Sequence, residues 1–178
     1  MNAGMKALLI ENLKILRLST MIRNLQSLIR QAKQEKLSYE EFLLNLSEAE
    51  VQTRKENGRK RRLREAKFPI LKPMETFNFD AASELDVRLI KELSNCDYVK
   101  KSRNIIFMGK SGTGKTHLAT ALGMEACKQG VRTRFVTGCG LANELVEARD
   151  EKFLGRAVKR YAGYGLLIID ELGYVPFS

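Results

Sequence analysis

The chain has 178 residues, of which 44% are hydrophobic and 29% charged, a composition typical of a folded globular protein rather than a disordered one. It has neither the run of about 18 apolar residues that a transmembrane helix needs nor a recognisable export signal, so we expect a cytoplasmic protein. The net charge of +10 favours polyanionic partners, whereas Cys96, Cys127 and Cys139 form no CxxC pair and indicate neither a disulfide framework nor a zinc site.

Residues 1–67 are predicted to form a small, basic, all-α domain. They contain 15 Lys or Arg against 8 Asp or Glu, so most of the net charge lies here, and they contain no proline. Apolar residues recur at three- and four-residue spacing through Leu9, Leu13 and Leu16 and again over 21–32, which predicts two helices. Ser19 and Thr20 are candidates to break or cap the first of these helices.

A further helix is predicted to begin in LSYEEFLLNL, residues 37–46. Ser38 is a candidate N-cap with Glu41 three residues later, which is the capping-box pattern, and Leu37 can pack against Phe42. We expect this helix to continue into TRKENGRKRRLREAKF, with Asn57 and Gly58 loosening it midway.

The end of this helix carries a dense group of basic residues with few acidic ones. Such a group can bind nucleic-acid phosphates and release their condensed counterions, or it can be a solvated helix face. No aromatic residues are interleaved to stack on bases, so the run by itself leaves both interpretations open. The candidate DNA-binding residues are Arg54, Lys55, Arg59, Lys60, Arg61, Arg62, Arg64 and, at the end of the run, Lys67.

A domain boundary is predicted near residue 68. The stretch FPILKPMETFNFD, residues 68–80, contains Pro69 and Pro73 and lacks helical periodicity, so it fits a linker or an extended connection. The second domain would then comprise residues 68–178.

Residues 104–119, NIIFMGKSGTGKTHLA, contain the phosphate-binding loop pattern GxxxxGK[ST] after a short apolar run. The apolar run, residues 104–108, is predicted to be a buried strand, and a helix ending near Gly130 should follow the loop. The glycines let backbone amides turn toward phosphate oxygens, Lys115 reaches the β- and γ-phosphates, and the Thr116 hydroxyl ligates Mg²⁺. The predicted ATP-binding residues are Gly109, Lys110, Ser111, Gly112, Thr113, Gly114, Lys115 and Thr116.

Two carboxylates follow a later apolar strand. VRTRFVTG predicts a second strand, one or two helices follow, and GLLIID predicts a third strand that ends at Asp170. This order is typical of a doubly wound α/β domain, in which ligands bind at the carboxyl ends of parallel strands. Asp170 is therefore the candidate to hold Mg²⁺ opposite Thr116, and Glu171 the candidate to orient the attacking water, with Lys115 as the other catalytic residue.

A second basic row precedes this last strand. Its members, Arg149, Lys152, Arg156, Lys159 and Arg160, recur at three and four residues, so they are predicted to share a helix face that contacts DNA or is simply solvated. His117, the only histidine, is interpreted as local packing support rather than a catalytic group.

The stretches GKSGTGKTHLA, LLIIDELGY, LLIENLKILRLSTM and AKFPILK together resemble the IstB-like helper ATPases of bacterial insertion sequences, relatives of the DnaC helicase loaders in the AAA+ superfamily. The resemblance implies a P-loop ATPase core with a parallel sheet flanked by helices. It also implies ATP and Mg²⁺ as cofactors, oligomers assembled on target DNA, and a transposase of the same element as partner. A helicase loader and an inactive DNA-binding fragment are the alternatives.

Members of this family continue beyond DELGY, so we expect a truncated chain. The resemblance implies a further strand with a polar sensor residue, another strand, an arginine finger and a small lid. In the family's strand order the first of these strands lies between the phosphate-loop strand and the Asp170 strand. Without it both would keep unpaired edges, and we expect poor ATP hydrolysis.

Overall fold

The computed structural model describes residues 3–80, 82 and 85–174. The chain divides into two compact units, Met1–Gly58 and Arg59–Ser178. The domain boundary near residue 68 stays a prediction. None of the helices in the described ranges has the length and apolar character that a membrane span needs.

The first unit is built from α1 (Ala3–Ile15), α2 (Ser19–Glu35) and the first part of α3 (Tyr39–Ala66). The predicted break between the first two helices is confirmed, but Ser19 and Thr20 do not make it. Arg17 adopts a left-handed conformation with φ 55°, and the backbone N–H of Leu18 donates to the carbonyl of Leu13 at 2.9 Å. This is the hydrogen-bond pattern that ends a helix, formed here without glycine.

The N-terminus of α2 is capped by Glu50, a residue distant in sequence. The backbone N–H groups of Thr20 and Met21 donate to Glu50 Oε2 at 2.8 and 3.1 Å, and Glu50 is only 5% exposed. Arg54 Nε donates to Glu50 Oε1 at 2.8 Å, and Arg54 Nη2 donates to the carbonyl of Arg17 at 2.6 Å. A carboxylate at this position satisfies N–H groups that lack a partner within the helix and complements the helix dipole.

The predicted start of α3 is confirmed. Ser38 N–H donates to Glu41 Oε2 at 2.7 Å and Glu41 N–H donates to Ser38 Oγ at 3.2 Å, which is the reciprocal capping box. The helix then continues through Asn57 and Gly58 to Ala66 without the predicted loosening.

The second unit combines helices with a small parallel sheet. Strands β1 and β2 pair in parallel, with Thr133 opposite Leu166 and Thr137 opposite Asp170. After the end of α3 and a 3-10 turn at Met74–Thr76, its elements are α4 (Val87–Leu93), α5 (Asp97–Lys100), α6 (Lys115–Lys128), β1 (Thr133–Thr137), α7 (Gly138–Asp150), α8 (Leu154–Ala162), β2 (Leu166–Asp170) and a 3-10 turn at Leu172–Tyr174. The predicted second and third strands are therefore confirmed, as is the end of α6 near Gly130.

The predicted buried strand over residues 104–108 is wrong. No strand pairs with this segment among the described residues, and Ile106 and Met108 are 80% and 88% exposed. Ile105 alone of this run packs against the core cluster of Cys96, Tyr98 and Ala126. A strand needs a backbone partner, and an apolar sequence does not supply one.

The prediction that five basic residues share one helix face is also wrong. The chain ends α7 at Asp150 and starts α8 at Leu154, with Lys152 left-handed at φ 61° between them. Phe153 N–H donates to the carbonyl of Ala148 at 2.9 Å, which closes α7. Arg149 therefore lies on α7, Lys152 in the turn, and the other three on α8.

Candidate functional site

Residues 109–114 form a turn that leads directly into the first residue of α6. Gly112 and Gly114 have φ values of 81° and 89°, which residues with a Cβ rarely adopt. Thr113 Oγ1 donates to the carbonyl of Lys110 at 2.9 Å and holds the turn closed. The loop thus places backbone groups around the N-terminus of a 14-residue helix, where an anion is favoured.

The Lys115 ammonium lies inside this loop. Its Nζ donates to the carbonyl oxygens of Gly109 and Lys110 at 2.8 and 2.6 Å. These hydrogen bonds hold a cation at the centre of the turn, where it can exchange carbonyl oxygens for phosphate oxygens.

The two predicted magnesium residues lie in contact. Thr116, in the first turn of α6, donates from Oγ1 to Asp170 Oδ2 at 2.9 Å. Asp170 reaches this position because it is the last residue of β2, at the carboxyl edge of the parallel pair. A hydroxyl and a carboxylate side by side form an oxygen-only donor set, which suits Mg²⁺.

Glu171 follows Asp170 directly and is exposed. Its backbone is left-handed with φ 57°, an unusual conformation for a residue with a Cβ. Such a conformation costs of order 1–3 kcal/mol.

Sequence reasoning missed the aromatic cover over the start of α6. A Cβ on Gly114 would lie 2.7 Å from Cε2 of Phe77, so this ring packs directly on the phosphate loop. Phe77 also contacts Phe79 and His117 edge-to-face, with ring centroids 4.9 and 5.1 Å apart. The closely spaced phenylalanines of FNFD were the available signal. These contacts agree with the packing role expected of His117.

The basic residues predicted for DNA lie in differing environments. Arg54 holds Glu50, as described, whereas Arg62 Nε donates to the carbonyl of Cys127 at the end of α6 at 2.8 Å. Arg61 is exposed, and its Nε lies 4.0 Å from Oε1 of Glu65. Arg61 and Arg62 line a cleft of about 380 Å³ together with Glu65, Gly130 and Arg132. Arg132 was not predicted to belong to this group.

Two basic residues of α8, Arg156 and Arg160, lie beside acidic residues of α7 and the turn after it. Arg160 forms an ion pair with Glu144 of α7, and the Tyr161 hydroxyl donates to the same carboxylate. Arg156 and Arg160 line a second cleft, of about 370 Å³, together with Glu144, Glu147 and Glu151. This face is mixed in charge, which weakens the case for phosphate contacts there.

Comparison with known proteins decides the family. A family model described as IstB-like ATP binding protein matches residues 11–178. The chain belongs to this family. Curated IstB-like relatives are similar over most of its length, and each carries the name of a putative ATP-binding protein of an insertion sequence.

About one residue in three is identical between the chain and each of three of these relatives. The chain is 36% identical over 155 residues to the protein of insertion sequence IS21 from Pseudomonas aeruginosa, with 87% of this chain and 58% of the relative covered. It is 35% identical to that of IS5376 from Geobacillus stearothermophilus, with 92% and 65% covered, and 33% identical to that of IS232 from Bacillus thuringiensis subsp. berliner, with 94% and 67% covered. The chain therefore spans about three fifths to two thirds of their length.

Proposed function

We propose that this IstB-like protein binds ATP with Mg²⁺ and serves as the ATPase of an insertion sequence. The observation that carries the proposal is the Thr116–Asp170 hydrogen bond of 2.9 Å beside the loop that encloses Lys115. It joins a phosphate-binding helix start to a carboxylate at the sheet edge, as a nucleotide–magnesium site requires.

The roles of the residues follow from their positions. Backbone N–H groups of the loop and Lys115 bind the phosphates, and Thr116 and Asp170 would hold Mg²⁺. Magnesium, when bound, neutralises charge on the phosphate oxygens. Glu171 would accept a hydrogen bond from the attacking water and aim its oxygen at the γ-phosphate.

Fluorescent-ATP titrations test this proposal. Lys115→Ala should lose binding because the phosphates lose their cation, and Asp170→Asn should lose the gain in affinity that Mg²⁺ gives over EDTA. Glu171→Gln should bind normally and turn over more slowly. Lys91→Ala, an exposed lysine on α4, is the control for charge. Equal affinity in Lys115→Ala and the control would refute the nucleotide site.

We also propose that the cleft bearing Arg61, Arg62 and Arg132 contacts duplex DNA through phosphates. Its three guanidinium groups come from α3 and from the residue before β1, and they outnumber the one acidic residue of the lining, Glu65, so the cleft carries a net positive charge. Arg132 is oriented by a hydrogen bond to the carbonyl of Gly163 at 3.2 Å and lies over the Tyr164 ring at 5.2 Å. Guanidinium groups fixed in this way lose less freedom on binding phosphate.

The salt dependence of DNA affinity tests this surface. Arg61→Gln with Arg132→Gln should flatten the slope of log affinity against log salt by up to about 0.9 for each phosphate that is no longer neutralised. A Lys91→Gln, Lys101→Gln pair removes the same charge elsewhere. If both pairs flatten the slope equally, net charge rather than the cleft governs binding.

A transposase partner and assembly into oligomers complete the proposal and rest on the family. The names of the relatives favour an insertion-sequence role over helicase loading. Co-purification with the transposase of the same element, compared with the replicative helicase, distinguishes these partners.

A further inference from the structure

The end of α3 and the stretch that follows it, residues 62–79, pack along α6 in the opposite direction. We name residues 62–79 the α6 strap. Arg62 Nε donates to the Cys127 carbonyl near the end of α6 at 2.8 Å, and the Phe68 ring lies against Gly123 nearer the start of the helix. At the start of α6, Phe77 lies against Gly114.

The α6 strap is fitted closely at two glycines. A Cβ on Gly123 would lie 2.8 Å from Cε1 of Phe68, and one on Gly114 would lie 2.7 Å from Cε2 of Phe77. Real Cβ atoms do not approach other atoms this closely, so both rings occupy space that only glycine leaves open. A flexible linker would not depend on the missing Cβ atoms of two glycines, so this segment is a packed part of the unit.

His117 fastens the end of the α6 strap that lies beside the phosphate loop. Its Nε2 is 3.2 Å from the Pro73 carbonyl oxygen and 3.2 Å from Thr76 Oγ1. The carbonyl only accepts hydrogen bonds, so the Pro73 contact places the hydrogen on Nε2. The Thr76 hydroxyl already donates to the Pro73 oxygen at 2.8 Å, which leaves its lone pairs to accept from the histidine.

We propose that His117 is a positioning residue that couples nucleotide binding to the docking of the α6 strap. Its backbone directly follows Thr116 and its ring contacts Phe77, so one residue of α6 connects the site with the strap. If docking holds the loop in its binding conformation, bound nucleotide must stabilise docking by the same factor, since coupling is reciprocal. The inference rests on the proposed binding of ATP.

Hydrogen exchange and ATP affinity, measured on the full 178-residue chain, test the coupling. MgATP should slow amide exchange over residues 74–79 in the wild type. His117→Ala should remove that ATP-dependent protection and weaken ATP affinity by about 5- to 150-fold, the usual range of such coupling. His117→Gln keeps an N–H donor and should recover part of both effects. Circular dichroism reports whether the overall helix content of the chain is preserved.

Two further variants separate coupling from damage to the fold. Thr76→Val removes the hydroxyl that contacts His117 and donates to the Pro73 carbonyl, without changing a residue of α6, and it should reduce the ATP-dependent protection. Lys72→Gln changes an exposed residue of the α6 strap and should leave ATP affinity and the ATP-dependent protection unchanged. Wild type that binds no ATP would refute the proposed function, whereas normal affinity and protection in His117→Ala would refute the coupling alone.

Discussion

Glu50 is a buried carboxylate whose charge is used to cap a helix other than its own. Burial raises the pKa of its carboxyl group, but hydrogen bonds from Arg54 and from the N–H groups of Met21 and Thr20 together lower it by more, so the pKa lies below the ordinary value of 4.5. A carboxyl group with a depressed pKa stabilises the folded state above its unfolded pKa and loses that effect as the pH falls through the folded pKa.

We expect Glu50→Gln to lower the free energy of unfolding by about 1–3 kcal/mol at pH 7, since it removes hydrogen bonds to a charged group. The difference from wild type should shrink as the pH drops below 4.5, the ordinary value for this group. Urea unfolding followed by circular dichroism at several pH values measures it. Glu48→Gln, which removes a charge from the same helix, is the control for the loss of charge. A constant difference from about pH 7 to about pH 3 would contradict the role of the charge.

Gly114 is constrained both by its backbone and by its neighbour. With φ at 89° and Phe77 occupying the place of a Cβ, Gly114→Ala should destabilise the second unit by about 1–3 kcal/mol and weaken ATP binding. Adding Phe77→Ala should relieve the clash but not the backbone strain, so ATP binding should recover only in part. Gly155→Ala, on α8 with open space around it, is the matched control and should be neutral or stabilising. Equal effects of the two alanine substitutions would show that neither the positive φ of Gly114 nor its contact with Phe77 constrains this position.

At the scale of elements, the sequence predicted those helix ends that are stabilised by residues close to them in the chain. The capping box at Ser38 and the left-handed Gly130 fix helix ends through neighbouring residues, and both were readable in the sequence. The structure of residues 104–108 could not be predicted in this way, because a strand forms only where a partner strand is available for backbone pairing. The contacts of His117 with Pro73 and of Arg62 with Cys127 span 44 and 65 residues, distances at which no sequence pattern operates.

The site was more predictable than the sheet around it. Lys115, Thr116 and Asp170 lie where the motif and the order of elements placed them. The motif constrains these residues because phosphate geometry demands them. The packing of Phe77 on Gly114 is not required by phosphate geometry, so the motif did not predict it.

The left-handed turn between α7 and α8 offers a prediction about an element boundary. Lys152 adopts φ 61° at the position where glycine usually ends a helix. Lys152→Gly should therefore raise the free energy of unfolding by about 0.5–1 kcal/mol, as relief of the Cβ outweighs the added freedom of the unfolded chain. Lys159→Gly, inside α8, should lower it by about 1 kcal/mol. Destabilisation by both would mean that the Lys152 side chain contributes more than its backbone strain costs.

At the scale of the whole molecule, the chain consists of two compact units that differ in what they can bind. The candidate nucleotide site lies entirely within Arg59–Ser178, because all of its residues follow position 59. A ligand that binds only the folded form stabilises the unit that contains its site.

Calorimetry of the chain should therefore show two transitions, of which MgATP shifts one. At a free ligand concentration of about 100 times Kd the stabilisation is about 2.7 kcal/mol, which for a unit of this size raises Tm by about 10 °C. The transition of Met1–Gly58 should stay in place because that unit holds no part of the site. Lys115→Ala should abolish the shift without moving the other transition. One transition that moves as a whole would show that α3, which runs through the division at Gly58, makes the chain unfold cooperatively.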